Sequence, residues 1–299
     1  MAHMSAHLGQ ACRNGDARRV TALLAAGHPP DEPLDSIGTT PLMTASNLDV
    51  VDILLTAGAS LTPTRFGHDA LQVAVSDDES SIEDPVERLA AARRLVEAGA
   101  SLDLRNEHGW SRVYVAAFAS DVGAVLALLA LGAPADDRPP PLAAACWGSG
   151  SPKTEPIIDA LVAAGADVHA RDDAGWSLLH AAAMPYSHGF GFESSDGASV
   201  AAMRALVRHG VTPDVVGPGG TTALMLVAED GDVEATAALL ALGADPGIRD
   251  AGGRRAVDLA RNSEHHLAEI LATASVDTAD AVRRSRERAR MCIDLLGAP

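Results

Sequence analysis

The chain has 299 residues, 47% of them apolar, a length that fits two ordinary domains or one extended array and a composition that excludes disorder throughout. Forty Asp and Glu stand against 23 Lys and Arg, a formal charge of −17 that repels phosphate backbones and anionic lipid, so nucleic acid and membrane surfaces are excluded as partner classes. Lys153 is the single lysine among those cations, a skew that points to a GC-rich, bacterial gene.

In chain order, residues 1–4 (Met-Ala-His-Met) read as a cloning scar. Met1 to Gly15 has no apolar core of signal-peptide length, and the longest greasy run, Val125 to Ala133, is far short of the roughly 20 residues of a membrane span. The expectation is a soluble, cytoplasmic protein. Cys12, Cys146 and Cys292 lie more than a hundred residues apart with no metal-ligand spacing, so they are expected as reduced core thiols, with no zinc site and no cofactor implied.

A glycine recurs after a Leu-rich or Val-rich segment at Gly27, Gly58, Gly99, Gly132, Gly165, Gly210 and Gly243, with spacings of 31, 41, 33, 33, 45 and 33 residues. Between these marks the pattern repeats. A Gly turn opens each unit, a short Ala-rich helix follows (Ala181-Ala182-Ala183), then a polar break (Gly231-Asp232) and a longer helix with apolar residues three and four apart (Val233, Ala237, Leu240, Ala241). The closing Gly suits a left-handed C-cap that other residues enter only at a cost. One such unit cannot bury its apolar face alone, so neighbouring units must stack to make a core.

The carrying segments are Gly38-Thr39-Thr40-Pro41-Leu42, Gly175-Trp176-Ser177-Leu178-Leu179-His180-Ala181-Ala182 and Gly220-Thr221-Thr222-Ala223-Leu224, with helix endings such as Leu239-Leu240-Ala241-Leu242-Gly243-Ala244-Asp245. With a period near 33, the sequence resembles the ankyrin repeat family. The resemblance implies an all-α solenoid of stacked helix-turn-helix units with β-turn hairpin loops. Units are expected near residues 5–37, 38–66, 67–108, 109–138, 139–174, 175–219, 220–252 and 253–273, followed by a C-terminal capping helix within 274–299. That last segment holds Arg283, Arg284, Arg286, Arg288 and Arg290, and an apolar stripe of Val282, Ala289, Ile293 and Leu296. The resemblance also implies that His180, at the family's Thr-Pro-Leu-His histidine, hydrogen-bonds turn backbone; Tyr114 holds the equivalent place in the fourth unit.

Three interruptions fall between the first and second helix of a unit and should emerge along one edge: Ser76 to Pro85, which is acidic, about four residues within Gly148 to Pro156, and Met184 to Gly197. The acidic one reads as a solvated charge run. The last holds Tyr186, Phe190 and Phe192 among glycines, an exposure of aromatics that gains nothing without a ligand. Eight of the nine aromatics fall between positions 110 and 192, and only Phe66 lies outside. Trp110 and Trp176 share the position after the turn Gly, while Phe118, Trp147 and Met184 share the end of the first helix, so rows of equivalent positions should line one concave patch.

The expected function is non-catalytic recognition of a protein or peptide by that patch: Trp110, Tyr114, Phe118, Trp147, Trp176, Met184, Tyr186, His188, Phe190 and Phe192. The alternative is a small-molecule pocket roofed by residues 184–197, for an apolar metabolite, with His188, Glu193 or Tyr114 assisting isomerisation, cyclisation or hydrolysis. Gly217-Pro218-Gly219-Gly220 leads into a repeat turn and is no phosphate loop, and no nucleophile or metal motif is present.

Overall fold

The computed structural model describes residues 2–64, 68–147, 151–184, 199–273 and 276–297. Fifteen α-helices and two short 3₁₀ turns make up the regular structure of these residues, with only three isolated antiparallel bridges and no strand among them. Two compact units divide the chain, residues 1–141 and 142–299.

In the first unit the order is α1 (Ala2–Arg13), α2 (Ala17–Ala25), a 3₁₀ turn (Pro41–Thr44), α3 (Leu48–Thr56), α4 (Ala70–Val75), α5 (Pro85–Glu97), α6 (Arg112–Phe118) and α7 (Val122–Ala130). Helices pair within a repeat, as α4 with α5 and α6 with α7, and stack on the next, as α2 on α3 and α5 on α7. The segment 38–66 departs from the expected two-helix unit. Its first helix is only the four-residue 3₁₀ turn, because Asn47 already caps α3 and Ala45 is extended, so too little chain is left for an α-helix.

The second unit runs α8 (Pro141–Trp147), α9 (Thr154–Ala163), α10 (Leu178–Ala183), α11 (Val200–Arg208), α12 (Ala223–Asp230), α13 (Val233–Ala241), α14 (Ala256–Thr273) and α15 (Val276–Gly297), with the second 3₁₀ turn at Pro218–Gly220. Helix α12 contacts α10 and α14, and α11 contacts α9 and α13. The long α15 lies against α12, α13 and α14.

Most of the repeat helices start and stop for a legible reason. Among first helices α6 and α12 are capped by a hydroxyl, Ser111 to Tyr114 N and Thr222 to Met225 N, and α4 by the Asp69 carboxylate, while several second helices are capped by a carboxylate or amide, as Asp16, Asn47, Asp121 and Asp232. The seven closing glycines all take φ between 85° and 106°, the left-handed region. There the N–H of Gly132 reaches Leu129 O at 3.0 Å and the N–H of Ala133 reaches Leu128 O at 3.0 Å, and the pair recurs at Gly58-Ala59 and Gly243-Ala244. This double bond satisfies carbonyls that the helix end leaves over. The core is small and aliphatic, with Leu54, Leu71, Leu95, Leu128, Leu161, Leu179 and Leu206 at or below 1% exposure.

Candidate binding site

The aromatic residues of the first unit stand on a hairpin and the helix after it. Asn106 Oδ1 accepts from His108 N and Trp110 N, both at 3.0 Å, which closes the turn around Gly109. Arg105 then holds it: its guanidinium donates to Gly109 O at 2.9 Å, to Arg138 O at 3.1 Å and to Asp137 at 2.6 Å. Trp110, Tyr114 and Phe118 follow at spacings of four, a separation that puts helical side chains on one face. Ring centroids lie 5.0 Å from Trp110 to Tyr114 and 5.9 Å from Trp110 to Phe118, tilted by about 40°. Tyr114 is buried at 2% exposure, whereas Trp110 and Phe118 are half-buried. Tyr114 therefore backs the cluster and cannot itself touch a partner.

Trp110 walls a cavity of about 150 Å³ that also meets His68, Gln72, Ser76 and Glu79. A second cavity of about 450 Å³, lined by Ile37, Met43, Thr64 and Val73, shares His68 and Glu79 with the first. Beneath the smaller cavity Arg112 forms an ion pair with Asp69, the two side chains 3% and 4% exposed. Asp69 serves twice, since its other oxygen caps α4 at Gln72 N, 2.9 Å. Arg112 also donates to Ser101 O at 3.0 Å and to Gln72 Oε1 at 3.3 Å.

The second unit repeats the hairpin. Asp172 Oδ1 accepts from Ala174 N and Trp176 N, and Arg171 donates to Gly175 O at 2.7 Å and Val216 O at 2.9 Å. Trp176 is half-buried, edge-on to His180 at 5.2 Å. Its ring lies so close to Gly217 that a Cβ there would come within 2.8 Å of Trp176 Cε3 and 3.0 Å of His180 Nε2. His180 is fully buried; Nδ1 faces Ser177 N at 3.4 Å and Ser177 Oγ at 2.7 Å, and Nε2 faces Thr221 O at 2.9 Å. Because Thr221 O can only accept, Nε2 carries the proton and Nδ1 is the acceptor. Burial lowers the imidazole pKa below its ordinary 6.5, although the Thr221 bond opposes the shift.

Trp147 and Met184, at the ends of α8 and α10, are half-buried. Tyr186, His188, Phe190 and Phe192 lie outside the described residues. The structure thus groups Trp110, Tyr114 and Phe118 in one unit, and sets Trp176 on His180 in the other. Sequence reading missed the arginine clamps. Their signal is an Arg four residues before a turn Gly, at Arg105, Arg171 and Arg249, the last donating to Gly253 O at 2.6 Å.

The ankyrin repeat family model matches residues 219–251. The crystal structure of the human ASB11 ankyrin repeat domain is similar at a TM-score of 0.50 and 18% identity, covering 98% of each chain. No curated protein matches the sequence. The fold is that of an ankyrin-repeat array. The matched repeat carries no insertion, running Gly220-Thr221-Thr222-Ala223-Leu224 into Asp232-capped α13. Two other turns are altered, with Asp69 and Arg112 at the positions that Thr40 and Pro41 fill in Gly38-Thr39-Thr40-Pro41-Leu42. Among the described residues no helix is long and apolar enough to cross a membrane.

Proposed function

We propose that this ankyrin-repeat chain is a non-catalytic recognition module that binds a protein or peptide through the aromatic patch of its fourth to sixth repeats. In this reading Trp110, Phe118, Trp147, Trp176, Met184, Tyr186, His188, Phe190 and Phe192 are the contact residues, and Tyr114 supports Trp110 from behind. The observation that carries it is Trp110: a half-buried indole, braced by two aromatic rings, in the lining of a cavity. Aromatic anchors of this kind dominate interface energetics because much apolar area is buried with few rotors to freeze. The buried, unpaired thiols fit a reducing, cytoplasmic setting; burial pushes Cys12 up to about 11 and Cys146 up to about 12, so neither is a reactive thiolate.

The test is selection of peptides from a random display library on the full chain, followed by affinity measurement on variants. Trp110→Ala is expected to weaken selected peptides at least about tenfold, as a hot-spot truncation does, with the fold intact by circular dichroism. Unchanged affinity in a folded Trp110→Ala, Trp147→Ala, Trp176→Ala triple variant overturns the patch.

A further inference from the structure

The two cavities of the first unit are neighbours across one pair of side chains, His68 and Glu79. Their chemistry differs. The larger is lined by Ile37, Met43 and Val73 together with Thr39, Thr44, Thr64 and Ser81, Ile37 being 52% exposed, and its apolar side suits an aliphatic group. The smaller mixes Leu104, Val115 and alanines with charged side chains, and nearly every charge that the described residues place around it is already committed. Arg112 is held by Asp69, and Arg105 by Asp137 and two carbonyls. Asp121 is saturated, accepting from Ala124 N at 2.9 Å, Ser76 Oγ at 2.9 Å and Asp77 N at 3.0 Å. Asp77 pairs with Arg88 and accepts from Gly123 N.

Glu79 is the exception. Its side chain is 48% exposed, and among the described residues it meets only His68, at 3.9 Å, beyond hydrogen-bond range. Glu79 is placed by the acidic insertion between α4 and α5, whose backbone is pinned at Ser76, since Ser76 Oγ accepts from Asp78 N and Glu79 N at 3.3 and 3.2 Å. The insertion thus delivers a carboxylate to the shared wall of two cavities. The field around it has the same sign: residues 1–141 hold 10 arginines against 19 acidic residues.

Resting on the recognition function proposed above, we propose that this face is a two-compartment groove for an extended basic peptide. An Arg or Lys side chain enters the smaller cavity between Trp110 and Glu79, while a neighbouring aliphatic side chain fills the cavity of Met43 and Val73. A cation placed there gains the indole face as well as the carboxylate, and its desolvation is offset twice. An anionic peptide meets Glu79 and the net negative field, and is turned away.

The experiment uses peptides enriched from the same library on the full chain, with affinities read by fluorescence anisotropy. Enriched sequences should carry Arg or Lys next to an aliphatic residue. Glu79→Gln should weaken such a peptide about tenfold, and the loss should vanish when the peptide's basic residue is replaced by Gln. Val73→Asp should weaken the same peptide whether or not the basic residue is present, while Glu107→Gln, on the hairpin tip, should leave affinity unchanged. Thermal melts of each variant separate binding loss from unfolding. If peptides that depend on Trp110 lack basic residues, are acidic, or ignore Glu79→Gln, the groove assignment is wrong and the recognition function stands. If affinity also ignores Trp110→Ala, or no peptide is enriched, both fall.

Discussion

His180 shows how one residue ties sequence, turn and pH response together. Its neutral form satisfies both neighbours, accepting at Nδ1 from Ser177 and donating from Nε2 to Thr221 O, the next hairpin's backbone. A second proton would have to go on Nδ1, where it would oppose the Ser177 N–H and reverse the bond with the Ser177 hydroxyl. That agrees with the direction of the burial shift, a pKa below 6.5 in the folded chain. The unfolded chain therefore binds more protons as pH falls through about 6.5, and the stability this histidine contributes is present above that pH and lost below it, down to the folded pKa. Thermal melts of the wild type and of His180→Gln should differ most near pH 7.5 and converge toward pH 5. A gap independent of pH contradicts the neutral assignment. The close fit of Gly217 under Trp176 and His180 belongs to the same site, and no feature of the sequence advertised it.

Between elements, the Asp69–Arg112 pair is the departure that sequence pattern could not resolve. The repeat period, the closing glycines and the helix caps were legible because each follows from a local demand: a left-handed turn, an orphan N–H, an aliphatic face. Residues 109–138 read as one unit, and Gly132 follows α7 at positive φ. A buried ion pair 43 positions apart has no such local signature, and Arg112 alone resembles a surface arginine. The aromatic patch was legible only as composition; that Tyr114 lies beneath Trp110 depends on tertiary depth. The pair carries its own prediction. Arg112→Leu leaves a buried carboxylate without its partner and should cost about 3–5 kcal/mol in urea unfolding. Adding Asp69→Thr keeps an N-cap oxygen for Gln72 N and removes the stranded charge, so the double variant should return to within about 1 kcal/mol of wild type. If the double variant is as unstable as the single, the pair stabilises through geometry that this exchange does not reproduce.

At the scale of the molecule, a stack of repeats must end, and its last apolar face has no further repeat to cover it. Helix α15 covers that face: Ala289 and Cys292 are fully buried and Leu296 is 7% exposed, with Cys292 Sγ 3.5 Å from the buried Thr236 hydroxyl. Close approach is possible because Gly231, in the left-handed region at the end of α12, leaves only 3.4 Å between an added Cβ and Ala289 N. Arg286 and Arg290 bond Glu264 at 2.6 and 3.0 Å, and these bonds hold its carboxyl below the usual carboxylate range. Apolar burial and ion pairing can be separated by size. Two half-exposed arginine contacts are worth under about 1 kcal/mol, while three covered side chains contribute about 3 kcal/mol, which corresponds to roughly 6–12 °C in a chain of this size. A chain ending at residue 275 should melt lower by that margin and lose amide protection first in α12 to α14, whereas Glu264→Gln should shift the melt by no more than about 3 °C. Equal losses in the two variants would mean that charge, and not the covered apolar face, anchors the terminal helix.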